Sequence, residues 1–236
     1  MIDMPPLALL AGGLATRLGH LTKQIPKAML EVAGEPFIAH QLRLLQREGI
    51  PRVVICAGYL AEQIQDYVGD GSRFGVAVTY KIDGPRLLGT GGALRAALGD
   101  LGPEFLVMYG DSWLDIAFGP VVEAFRQSGE PALMTVFRNQ GQWDTSNVWF
   151  ENGRIRLYDK CERLPQMQHI DWGLGMIRSD ALASRPADQP FDLGDVYSDL
   201  SRAGHLAGYE VATRFYEIGS IEGLRETDAL LRAQIL

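Results

Sequence analysis

The chain has 236 residues, a formal net charge of −7 and a sequence pI near 5.1. That acidic balance excludes a surface built for nucleic acid or an anionic membrane, and no apolar run approaches the ~20 residues that span a bilayer. No signal-peptide pattern is read at the start, and Cys56 and Cys161, without metal-type spacing, read as reduced thiols of a cytoplasmic protein.

Residues 7–10 (LALL) form a short apolar run, read as a buried strand that opens directly into the loop Leu10-Ala-Gly-Gly-Leu-Ala-Thr-Arg17. Residues 36–48 begin with proline, carry apolar side chains on one face and stop at Gly49, which predicts a helix. Residues 52–56 are the next strand. A short helix over 61–68, a strand over 76–80 and a helix beginning after the glycine cluster at 91–98 follow. Residues 105–109 are a buried strand running into Gly110-Asp111. Strands alternating with helices predict βαβ units on a parallel sheet.

The second half reads differently. Residues 132–137 are a strand, and 147–150 and 154–158 flank Asn152-Gly153, a strong type I′ hairpin signal. A strand over 170–177 and helices over 194–203 and 220–235 complete the chain. No proline-, glycine- and serine-rich linker interrupts it, so residues 1–236 read as one domain.

The chemistry sits at the ends of these strands. Gly12 and Gly13 let backbone N–H groups approach a phosphate closely, while Arg17 supplies a forked cation and Lys27 a point-like one. Together they ask for a nucleoside triphosphate or another polyphosphate. The dinucleotide fingerprint is absent, because Gly12-Gly13 lacks the later glycine it requires. Asp111 follows a buried strand, where open α/β sheets place ligands; taken alone, the Gly-Asp step reads rather as a turn or helix-cap aspartate. His20 falls in the phosphate loop, and His40, His169 and His205 read as structural. Ser112 and Ser146 lack a His–Asp partner pattern. Trp113, Trp143, Trp149 and Trp172 read first as core packing, with Trp113 and Trp172, which flank site positions, as alternative walls of a ligand pocket.

Residues 10–36 (LAGGLATRLGHLTKQIPKAMLEVAGEP) resemble the signature of the sugar-1-phosphate nucleotidyltransferases, with Ala15 where a third glycine is usual and His20 where proline is usual. The resemblance covers most of the chain. It implies an α/β, Rossmann-like three-layer fold with a mixed, mostly parallel central sheet, a nucleotide-binding half over about 1–115 and a sugar-binding half over about 116–236. It also implies nucleotide contacts from Leu10, Ala11, Gly12, Gly13, Ala15, Thr16, Arg17 and Lys27, and from Gly89 and Thr90 in Leu88-Gly-Thr-Gly-Gly-Ala93. Arg17, Lys27 and Asp111 would be the catalytic set. Asp111 and Glu217 would hold Mg²⁺, with Glu217 standing for the family's aspartate in Tyr-Glu-Ile-Gly. Asp159-Lys160 resembles the family's Glu-Lys pair on the sugar side, joined there by Asn147, Gly173 and Asp171, the last in place of asparagine. The implied partners are an NTP and a sugar 1-phosphate, and a homo-oligomer stays open.

Within the family, Asp144-Thr-Ser-Asn147 and Tyr158-Asp-Lys160 most resemble heptose- or mannose-type guanylyltransferases, with uridylyl, cytidylyl and thymidylyl transfer as alternatives. A metal-dependent glycosyltransferase is the rival class, but Asp111-Ser-Trp113 is not an Asp-x-Asp metal pair. A non-catalytic nucleotide-binding module would be expected to have lost Arg17, Lys27 or Asp111.

Overall fold

The computed structural model describes residues 2–13, 18–19, 22–84, 86–187 and 189–235. Strand β1 (Leu7–Leu10) is followed by a two-strand ribbon, β2 (Glu31–Val32) and β3 (Glu35–Pro36), and then by helix α1 (Phe37–Arg47). Next come β4 (Arg52–Ala57), α2 (Ala61–Val68), β5 (Ala77–Ile82), α3 (Gly89–Leu101), β6 (Glu104–Tyr109) and β7 (Ser112–Trp113). The remainder is α4 (Gly119–Ser128), β8 (Ala132–Arg138), β9 (Val148–Glu151), β10 (Arg154–Tyr158), β11 (His169–Arg178), α5 (Asp180–Ala183), α6 (Leu193–Arg202), β12 (Leu206–Val211), β13 (Tyr216–Glu217) and α7 (Ile221–Ile235).

Nine strands form one mixed sheet in the order β5-β4-β1-β6-β11-β8-β12-β10-β9, so strands of both halves share it. The pairs β5/β4, β4/β1, β1/β6 and β8/β12 are parallel, and β11 runs antiparallel between β6 and β8. The alternation of a strand's side chains explains the layers. In β1, Leu7 and Leu9 join a cluster with α1, α2 and α4, whereas Ala8 and Leu10 join another with α3, α5 and α6. Leu7, Ala8 and Leu9 are fully buried, which is why the run LALL is continuous and not alternating. Truncating such a leucine costs about 2–5 kcal/mol.

The hairpin forms as expected: Asn152 and Gly153 both take positive φ, 53° and 75°, and β9 pairs with β10. The sequence reading missed β12, whose Leu-Ala-Gly-Tyr-Glu-Val carries little strand propensity. Gly208 there lies under Phe150 and Ile155, so the packing of β9 and β10 selects this segment. Among the described residues no helix is long and apolar enough to cross a membrane. Cys56 is buried and Cys161 exposed, and both are free thiols.

Candidate active site

A cavity of about 540 Å³ opens where β1, β4 and β6 end, walled by Leu10, Ala11, Gly12 and Gly13 together with Lys27, Gly89, Thr90 and Asp111. Every nucleotide-side residue expected from the sequence lines it, apart from Ala15, Thr16 and Arg17. Those three and His20 lie outside the described residues. The Gly110-Asp111 step is set by crowding. The Gly110 N–H donates to Leu10 O at 2.9 Å, and a Cβ at Gly110 would sit 2.9 Å from that same oxygen. Only glycine lets β6 turn against the end of β1, and the turn delivers the Asp111 carboxylate to the cavity. Lys27 opens a one-turn 3-10 helix after Pro26, and its Nζ donates to Asp111 Oδ2 at 2.8 Å.

The glycine cluster at the start of α3 has a second task. Gly89 has φ +72°, and a Cβ there would lie 2.7 Å from Phe191 O, the oxygen that accepts from the Gly91 and Gly92 N–H groups at 3.0 and 3.3 Å. The cluster therefore lets the chain before α6 lie on the start of α3. Through that contact Thr90 accepts from the Leu193 N–H at 2.8 Å and donates to Asp192 Oδ1 at 3.3 Å. Asp192 also accepts from Lys160 Nζ at 3.1 Å and from the Gly194 N–H at 2.7 Å, capping α6. Burial opposes its charge, yet the Gly194 N–H and Lys160 hold its carboxyl below the usual range. Asp192 was not singled out from the sequence. Its available signal was Asp192-Leu-Gly-Asp195, a reciprocal helix-start pattern.

A second cavity of about 800 Å³ adjoins the first and shares Thr90, Tyr109 and Asp111 with it. Asn147, Lys160, Asp171 and Glu217 line it, whereas Gly173, whose N–H is turned to Asp171, does not. The Asn147 backbone is fixed between His169 O, to which its N–H donates at 3.0 Å, and the Asp159 N–H, which donates to its carbonyl at 3.1 Å. Its side-chain Oδ1 is buried with no hydrogen-bond partner among the described residues. Asp171 sits at the irregularity where β11 slips against β8, and its Oδ1 accepts from the Gly173 N–H at 2.9 Å. Burial pushes its carboxyl up to about 6 against the pull of that N–H.

Asp159 is a correction. It is absent from the wall of this cavity, because its Oδ1 accepts from the Cys161 and Glu162 N–H groups, both at 2.8 Å, and its Oδ2 pairs with Arg202. The side chain ties a turn and leaves Lys160 alone to face the cavity. The tryptophans divide between the core, as read first from the sequence, and the cavity wall. Trp113 and Trp172 are core residues, the latter donating Nε1–H to Thr213 O at 2.7 Å, while Trp143 is the indole on the cavity wall.

Glu217 lies on the β7–β13 ladder opposite Ser112, and the Ile218 N–H donates to Asp111 O at 2.9 Å. A Cβ on Gly219 would touch Glu217 Oε2 and lie 3.6 Å from Asp111 Oδ2, so both carboxylates face one gap beside Gly219. Glu217 also accepts from the Gly219 N–H and from Ser220 Oγ at 2.9 Å, which anchors the start of α7. Two hard carboxylates on one gap suit Mg²⁺, which takes one or two carboxylates and leaves the rest of its octahedron to phosphates and water.

The Gly12-Gly13 backbone, a Lys–Asp pair at the strand ends and an adjoining polar cavity thus lie side by side. The chain matches the family model described as nucleotidyl transferase over residues 8–146. It belongs to that family. It is 40% identical over 231 residues to an N-acetylmuramate alpha-1-phosphate uridylyltransferase of Neisseria meningitidis, covering 95% of this chain and 97% of that protein. A UTP–glucose-1-phosphate uridylyltransferase of Synechocystis is 27% identical over 90% of this chain, which spans 60% of that relative's length. A D-glycero-alpha-D-manno-heptose 1-phosphate guanylyltransferase of Campylobacter jejuni is 36% identical over 46% of this chain and 48% of its own. A solved Bacillus anthracis chain crystallised with sucrose superposes with a TM-score of 0.84 at 23% identity, covering 98% of this chain and 96% of that one, which supports the shared fold. The class of this nucleotidyl transferase family member is sugar-1-phosphate nucleotidyltransferase.

Proposed function

We propose that this enzyme transfers a uridylyl group from UTP to an acidic amino-sugar 1-phosphate of the N-acetylmuramate type, releasing pyrophosphate. The observation that carries the choice is the match at 40% identity along 95% of the chain to a uridylyltransferase of that sugar. Guanylyl transfer to a heptose 1-phosphate is the second reading, supported by Tyr158-Asp-Lys160 and by the guanylyltransferase relative that matches 46% of the chain.

In this reading the first cavity takes the nucleotide and the second the sugar, with the reacting phosphates at their shared border. A phosphate oxygen of the sugar 1-phosphate attacks the α-phosphorus, and the bond to the pyrophosphate leaving group breaks. The nucleophile is already an anion, so the protein's work is positioning and charge stabilisation. Lys27, freed from Asp111, pins the α-phosphate, and Arg17 neutralises the leaving pyrophosphate. Lys160, held by Asp192, meets the sugar phosphate, while Asn147 borders the sugar. Asp111 and Glu217 would hold Mg²⁺, which supplies charge neutralisation and alignment of the two oxyanions.

The test is a matrix of the four NTPs and dTTP against N-acetylmuramate, N-acetylglucosamine, glucose, mannose and heptose 1-phosphates, read by pyrophosphate release. Highest turnover with UTP and N-acetylmuramate α-1-phosphate is expected. Highest turnover with GTP and a heptose or mannose 1-phosphate would replace this reading with the second. Release of a nucleoside diphosphate from a nucleotide sugar would replace both.

A further inference from the structure

Two cations stand on the wall of the second cavity, and they stand at different places. Lys160 is tied through Asp192 to Thr90, at the border with the nucleotide cavity. Arg214 instead lies against Trp143 and Tyr216, its guanidinium carbon 3.7 Å from the centroid of the Trp143 ring and 4.3 Å from that of Tyr216. Neither aromatic belongs to the nucleotide cavity. The Nε–H donates to Phe215 O at 3.3 Å, and one Nη2–H donates to Glu226. A guanidinium has five N–H donors, so donors on Nη1 and Nη2 remain without a partner among the described residues. The plane is fixed by stacking while one edge stays free, and the side chain is 29% exposed.

We infer that Arg214 is a specificity-determining residue that receives a carboxylate substituent of the sugar, at the part of the cavity away from the reacting phosphates. This deepens the acidic-sugar reading above and rests on it. Asp144, Glu222 and Glu226 share the same wall, so a carboxylate entering unaided meets like charge. A pre-oriented guanidinium edge offsets that repulsion and binds both carboxylate oxygens in a geometry a lysine cannot supply. The phosphate of the same substrate is left to Lys160, whose Nζ is a point charge at the nucleotide border. One sugar carrying two anionic groups is thereby read at two separate places. Trp143 offers its ring to the sugar and holds the arginine at once.

The experiment compares wild type, Arg214→Gln and Arg214→Lys on two matched pairs of substrates with UTP. The pairs are N-acetylmuramate with N-acetylglucosamine α-1-phosphate, and glucuronate with glucose α-1-phosphate, with kcat and KM measured separately. Thermal melts check the fold. Loss of the planar fork is expected to raise KM for the acidic member of the preferred pair by ~10-fold or more in both variants, with kcat little changed. The neutral member should change by less than about threefold, as for a side chain whose charge it does not use. Equal losses on both members would show that Arg214 only props Trp143, and would overturn the inference while leaving the N-acetylmuramate reading standing. A wild-type preference for glucuronate that Arg214→Gln abolishes would keep the arginine assignment and overturn the sugar. A wild type that favours the neutral member of both pairs would overturn both.

Discussion

Lys27 Nζ and Asp111 Oδ2 lie 2.8 Å apart, joining residues that are 84 positions apart in the chain. The lysine proposed to hold a phosphate and the aspartate proposed to hold the metal satisfy one another. Each is 21–33% exposed, so the pair contributes at most about 1 kcal/mol to stability. Lys27→Ala and Asp111→Asn are therefore expected to melt within a few degrees of wild type. Turnover should fall roughly 10²-fold or more, the scale for one oriented stabiliser of transition-state charge. Arg17→Ala is expected to show the same loss. Pyrophosphate-release rates near wild type in a folded variant would remove that residue from the chemistry.

Glu217 has two tasks, and they can be separated. Its carboxylate anchors Gly219 and Ser220 at the start of α7, so Glu217→Ala should lower stability by about 1 kcal/mol, as for a lost helix cap. Glu217→Gln keeps an acceptor oxygen and should recover most of that, while requiring a higher Mg²⁺ concentration for half-maximal rate. An unchanged Mg²⁺ titration in the Gln variant would leave Glu217 with the helix alone.

Asp171 gives a pH dependence of defined sign. Its folded carboxyl is raised to about 6 from an ordinary 3.8, so the folded state holds the proton more tightly than the unfolded chain. Its contribution to stability is fully present below pH 3.8 and is lost as pH rises through about 6. Above that the buried charge costs up to about 3 kcal/mol, less what water in the open cavity returns. Asp171→Asn should raise the melting temperature at pH 8, and the gain should vanish near pH 4. A pH-independent difference would contradict the assignment.

Gly110→Ala should be costly although no polar group is lost. A Cβ 2.9 Å from Leu10 O must push β1 and β6 apart at the point that delivers Asp111. A loss of about 1–3 kcal/mol by denaturant titration is expected, as for overpacking, together with reduced turnover. Wild-type stability would show that the strand ends yield easily.

What could be read from the sequence was local. LALL before two glycines, the Gly-Asp step after a buried strand and Asn152-Gly153 each carry their geometry in a few adjacent residues. They led to β1, to Asp111 and to the hairpin. What could not be read depends on distant partners. Strand β12 exists because Gly208 accepts Phe150 and Ile155, and Asp192 matters because Gly89 and Gly91 let Phe191 approach α3. Asp159 carried the expected residue type beside the expected lysine, yet Arg202, 43 residues away, holds it out of the cavity wall. Trp143 looked like one of four scattered indoles until Arg214 was found stacked on it.

Among the described residues, Thr90, Tyr109 and Asp111 are the wall that the two cavities have in common. Such a shared wall has a kinetic meaning, because neither ligand has to leave before the other arrives and no side chain need carry the nucleotidyl group between them. Both substrates should reside on the protein together. Double-reciprocal plots of initial rate against one substrate at several fixed levels of the other are thus expected to intersect. Parallel lines, the signature of a covalent nucleotidyl-enzyme, would mean that the shared wall separates two half-reactions and does not join two halves of one.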